Sequence, residues 1–119
     1  MNKTVPYRKS SNAIILEPQG MLDVYAIDPL ERTVTHLLEE GERRFLLSLG
    51  KIQFMDSMGI SAILRILKKI HSHKGSLGIF NTAEHYISLL DNTGILLAIK
   101  VYPISMKEEE VLAYGDCSF

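Results

Sequence analysis

Positive charge is in short supply in this 119-residue sequence, where 13 Lys and Arg stand against 14 Asp and Glu for a formal net charge of −1. Binding along a nucleic-acid backbone draws on a basic excess, so direct nucleic-acid binding is not expected. Cysteine is almost missing. The single Cys117 has no partner within the chain, which excludes an internal disulfide framework and fits a reducing compartment; Cys117 reads as a tail thiol. Long apolar runs are missing too. Stretches such as residues 95–99 fall far short of the roughly 20 residues a membrane span needs. The first nine residues carry charge where an export signal would be apolar. The expectation is a cytoplasmic protein with no membrane insertion. No internal repeat or low-complexity linker interrupts the chain, whose length suits one domain, 1–119, with its core at about 12–113.

What is present alternates between strand and helix patterns. Residues 13–16, Ala-Ile-Ile-Leu between Asn12 and Pro18, read as a short buried strand, which residues 5–9 can meet as an antiparallel edge. From 27 to 38 the apolar residues Ile27, Leu30, Val34, Leu37 and Leu38 fall at helical spacing. Asp28, Pro29 and Glu31 suggest a capping box, and Gly41 a left-handed stop. A buried strand at 45–49 follows, then 52–55 running into a helix with Ile60, Ile63, Leu64, Leu67 and Ile70 on one face. Gly75 should end that helix. Strand 77–80, a helix over 83–93 closed by Gly94, strand 99–102 and a last helix capped by Ser105 complete the order. Strands joined through helices imply an α/β domain. Its sheet should be mostly parallel, with about five strands, an antiparallel N-terminal edge strand and about four helices.

The segment Asp56-Ser57-Met58-Gly59 places a hydroxyl where a buried strand meets the start of a helix. Unpaired amides and the helix dipole favour an anion there, a phosphate included. Two readings stand side by side: Ser57 as a plain N-cap, and Ser57 as an acceptor of phosphate. Asp56 can equally be a turn residue or the cap itself. Gly59 permits a sharp turn or the close approach of another chain. His71 and His73 are two apart and cannot share a metal from a helix, and His36 and His85 lack nearby partners, so no metal site is expected.

Two motifs together carry a resemblance over residues 14–111. Gly20-Met21-Leu22-Asp23 is one; the strand 47–49 leading through Phe54-Met55 to Asp56-Ser57-Met58-Gly59-Ile60 is the other, with Asn92-Thr93-Gly94 closing a later helix. The chain resembles the STAS domain of anti-sigma factor antagonists. The resemblance implies that Ser57 is phosphorylated by an anti-sigma factor that is also a serine kinase, and that a metal-dependent serine phosphatase reverses it. Asp23 and Asp56 would lie near that serine and the docking surface, either positioning the hydroxyl or contacting the partner. Met58 replaces a small residue usual in the family and reads either as a contact anchor or as packing against its own loop; Gly59 completes the partner-binding set. Ser48 also departs from the pattern.

Function follows as partner switching, in which the unphosphorylated form binds the anti-sigma kinase, the sigma factor is released, and phosphorylation blocks binding. The alternative is a STAS module bound constitutively within another regulatory or transport assembly. An enzyme is not expected. No histidine is placed by the sequence to act as base for Ser57, and neither a nucleophile elbow nor a phosphate-cradling glycine loop occurs, so no catalytic residue or cofactor is assigned.

Overall fold

The computed structural model describes residues 4–114, which leaves Cys117 outside the described residues. The chain forms β1 (Tyr7–Ser10), β2 (Ala13–Leu16), β3 (Gly20–Leu22), α1 (Ile27–Glu39), β4 (Arg44–Ser48), β5 (Ile52–Met55), α2 (Ser57–Ser72), β6 (Ser76–Phe80), α3 (Glu84–Asp91), β7 (Lys100–Val101) and α4 (Glu108–Tyr114). Five strands make one sheet in the order β1-β2-β4-β6-β7, with β1 antiparallel to β2 and the remaining pairs parallel. The α/β expectation of a mostly parallel sheet with an antiparallel edge and four helices is met.

Parallel strands covered on both faces read as continuous apolar runs, because every side chain is buried whichever way it points. Residues 13–16 and 45–47 behave this way. Ile14, Leu16, Phe45 and Leu47 join the main core with Leu30, Val34, Ile63, Ile66 and Ile70, while Ala13, Ile15 and Leu46 face a smaller cluster closed by Val111 and Leu112 of α4. Helices α1 and α2 lie side by side over the main core. Arg65 donates to Glu31 at 2.9 Å and Lys69 to Thr35 at 2.9 Å across their seam.

Several local starts and stops differ from the sequence expectation. The 3-10 turn Val24–Ala26 runs straight into α1, so the first amides of α1 are already inside a helical turn and Asp28 has no cap to supply. Asp23 caps the 3-10 turn instead. Gly41 is the left-handed stop of α1, at φ +99°. At the end of α2 the left-handed residue is Lys74, at φ +62°, and Gly75 serves a different need: a β-carbon there would stand 2.4 Å from the Arg43 carbonyl oxygen. Ser105 does not cap α4, which begins three residues later; the Lys107 amide donates to Glu110 at 3.0 Å.

The main departure from the expected order is a second, two-stranded sheet. β3 and β5 pair in parallel, with Met21 opposite Phe54 and Leu22 opposite Met55, and a register shift between Gly20 and Met21. This ribbon brings the residues after β3 and those after β5 together.

Candidate functional site

Two parallel strand ends lie next to each other, and each is followed by an aspartate that caps a helical turn. Asp23 follows β3, and its carboxylate accepts from the Tyr25 amide at 3.0 Å. Asp56 follows β5, and its Oδ1 accepts from the amides of Met58 and Gly59, each at 3.0 Å. The Asp56 amide in turn donates to the Leu22 carbonyl at 3.3 Å, which ties the two capped turns together. Asp23 and Asp56 are both half-buried.

Because Asp56 supplies the cap, Ser57 becomes the first residue of α2 rather than the residue before it. Its side chain is exposed, and its hydroxyl makes no hydrogen bond to any other described residue. The reading of Ser57 as a plain N-cap therefore fails: the cap is Asp56. The hydroxyl stands in solvent beside the positive end of a 16-residue helix, where the dipole favours an added anion although Asp56 already takes the amides of Met58 and Gly59.

Met58 is 41% exposed on the first turn of α2, so packing wholly against its own loop is not what it does. Gly59 is buried. The close approach it permits is made by this chain's own β3, whose Leu22 carbonyl oxygen would lie 1.9 Å from a β-carbon on Gly59. Met21 and Phe54, the cross-strand pair just before the two aspartates, are exposed although neither was singled out from the sequence. In β3 the exposed Met21 stands between the half-buried Gly20 and the buried Leu22, while Met21 and Leu22 are both apolar in the sequence. Three residues are too few for periodicity to decide.

Among the described residues no cluster of three His, Cys, Asp or Glu side chains could hold a metal ion, and no helix is long and apolar enough to cross a membrane. His36 lies 3.6 Å from Glu40 on the outside of α1.

Comparison with known proteins bears on the family and the fold. The STAS domain family matches residues 4–110. An anti-sigma-B factor antagonist of Staphylococcus epidermidis is 30% identical over 76 residues, covering 64% of this chain and 70% of that protein. The fold is shared with the Thermotoga maritima protein TM1081, at a TM-score of 0.84 and 22% identity over 99% of this chain and 93% of that one. It is shared also with the unphosphorylated anti-sigma factor antagonist SpoIIAA, at 0.75 and 14% identity over 97% and 100%. The phosphorylated form of SpoIIAA from Bacillus superposes at 0.71 with 15% identity, covering 93% and 98%. The chain belongs to the STAS-domain family of anti-sigma factor antagonists, which are regulatory binding proteins and not enzymes.

Proposed function

We propose that this chain is an anti-sigma factor antagonist that works by partner switching, with Ser57 as the switch. Unmodified, it docks on an anti-sigma factor through the surface around Asp23, Asp56, Met58 and the start of α2, and the sigma factor is released. The anti-sigma factor is also the kinase, supplying nucleotide and magnesium, while this chain contributes the attacking hydroxyl. A metal-dependent serine phosphatase restores the unmodified state. These events take place in the cytoplasm, where ATP and sigma factors are found. The whole chain acts as one STAS domain.

The observation that carries the reading is the exposed Ser57 hydroxyl at the first position of α2, with the capping work done by Asp56. A phosphoryl group can be added without dismantling the helix start. It brings a charge of about −1.5 to −2 next to the Asp56 carboxylate, at a surface that loses water on docking. In a kinase the group opposite the acceptor hydroxyl is the nucleotide's own phosphate chain, so the new dianion faces like charge. Reversing occupancy from 99:1 to 1:99 needs about 5.5 kcal/mol, and a buried charge left unpaired costs several kcal/mol, so one phosphate is of the right size.

The test is to mix the purified chain with the anti-sigma factor of its own cell and ATP, and to locate phosphate by mass spectrometry. Ser57→Ala should bind and remain unmodified, and Ser57→Asp should lose binding. Phosphate on another residue with Ser57 untouched ends the reading.

A further inference from the structure

Five large apolar side chains stand in solvent on the two segments that converge at Ser57. Met21 and Phe54 are cross-strand partners, 57% and 48% exposed, while the next pair along, Leu22 and Met55, is buried. Val24 and Tyr25 follow Asp23 at 47% and 84% exposure, and Met58 follows Ser57. The pairing of β3 with β5, the Asp56 amide on the Leu22 carbonyl and the seating of Gly59 against Leu22 hold both segments in one surface. Exposed apolar side chains gathered on two joined segments mark an interaction site, and aromatic anchors carry most of the energy where such sites are occupied.

Charge identifies the occupant. Within residues 18–31 and 52–64 every charged side chain is acidic: Asp23, Asp28, Glu31 and Asp56. Glu31 is engaged by Arg65, whereas Asp23, Asp28 and Asp56 form no ion pair with any described residue. The later part of α2 is basic instead, with Arg65, Lys68 and Lys69. A second copy of this chain would set acid against acid around the same apolar patch. Resting on the reading of Ser57 given above, we infer that the Met21–Phe54 pair is the anchor by which the anti-sigma kinase holds this chain, and that the kinase meets it with an apolar socket bordered by lysine and arginine. The pair fixes affinity, and Ser57 beside it receives the phosphate.

The experiment measures binding and steady-state phosphorylation of the full chain by the anti-sigma kinase of its own cell. Met21→Ala and Phe54→Ala should each weaken binding and raise KM about tenfold or more, with kcat and thermal unfolding unaltered, because the pair contacts partner and not the reacting atoms. Leu97→Ala, at a residue 95% exposed before β7, should change nothing. Phe54→Lys should weaken binding more than Phe54→Glu, since it sets a cation against a basic border. Unchanged KM and affinity in both alanine variants, with the parent phosphorylated on Ser57, overturn the anchor and leave the Ser57 reading standing. A parent chain neither bound nor phosphorylated overturns both. Self-association abolished by Phe54→Ala would make a second copy the occupant and overturn the inference, as would a Phe54→Glu variant that binds worse than Phe54→Lys.

Discussion

Gly59 is pressed against the carbonyl of Leu22 so closely that a β-carbon on it would stand 1.9 Å from that oxygen. The neighbour is backbone in a paired strand, so no rotamer change relieves the overlap. Helix propensity argues the other way, because alanine is favoured over glycine inside a helix by about 0.5–1 kcal/mol. Packing should win. Gly59→Ala is expected to destabilise the domain by about 1–3 kcal/mol, as overpacking of a tight contact does. Urea unfolding decides between the two effects by sign: a raised midpoint would mean that α2 does not sit against β3 in this way.

The aspartate and serine that follow β5 should separate cleanly in stability measurements. Asp56 accepts two backbone hydrogen bonds at the start of α2, so Asp56→Ala should cost about 1 kcal/mol, within the 0.5–2 kcal/mol range of lost N-caps. Asp56→Asn keeps the accepting oxygen and should recover most of it. Ser57→Ala removes a hydroxyl with no partner among the described residues and should stay within about 0.5 kcal/mol of the parent. If Ser57→Ala proves the more damaging of the two alanine variants in chemical denaturation, the roles have been exchanged.

Much of the fold was legible in the sequence because the buried parallel strands, such as 13–16 and 45–47, are apolar on both faces, and because the spacing of Leu30, Val34, Leu37 and Leu38 has one helical solution. The site was legible as a place more than as an arrangement. Asp and Ser both cap helices, so adjacency alone left Asp56 and Ser57 interchangeable, and only the hydrogen bonds of Met58 and Gly59 assign the task. The capping box at Asp28 was a correct local pattern overridden by the 3-10 turn ahead of it. The β3–β5 ribbon is not legible in the sequence because its strands are three and four residues long and its register shifts after Gly20, leaving too few alternations to show a period.

The end of α2 provides a test of the same kind of override. Lys74 holds a left-handed backbone at φ +62°, a conformation that costs a side-chain-bearing residue about 1–2 kcal/mol, while the glycine next to it is held by the approach of the Arg43 carbonyl. Lys74→Gly should therefore stabilise the domain by up to about 1 kcal/mol once the greater freedom of unfolded glycine is subtracted. Gly75→Ala should destabilise it, through the 2.4 Å overlap with Arg43. Thermal unfolding of both variants reads the assignment directly, and a stabilising Gly75→Ala would show that the Arg43 carbonyl does not approach Gly75 in this way.

Arg8 on the edge strand β1 fastens α4 to the sheet and gives the protein a predictable acid response. Its guanidinium donates to Glu108 through two nitrogens, one of them at 2.8 Å, and through Nε to Glu17 at 3.0 Å. Hydrogen bonding from Arg8 holds the Glu108 carboxyl below the ordinary carboxylate value, against an opposing effect of partial burial. A carboxylate whose folded value lies below its unfolded one stabilises the fold fully above the unfolded value of 4.5, and loses that contribution as pH falls through the lowered value. Both side chains are substantially exposed, Arg8 at 45% and Glu108 at 27%, so solvent screening keeps the effect to roughly 1 kcal/mol or less. Glu108→Gln should therefore be less stable than the parent near neutral pH, and the gap should close at an acid pH below the lowered value. Urea midpoints of the two proteins at both pH values provide the measurement. A gap that persists undiminished in acid would place the stabilisation in the packing of Val111 and Leu112 rather than in the charge on Glu108.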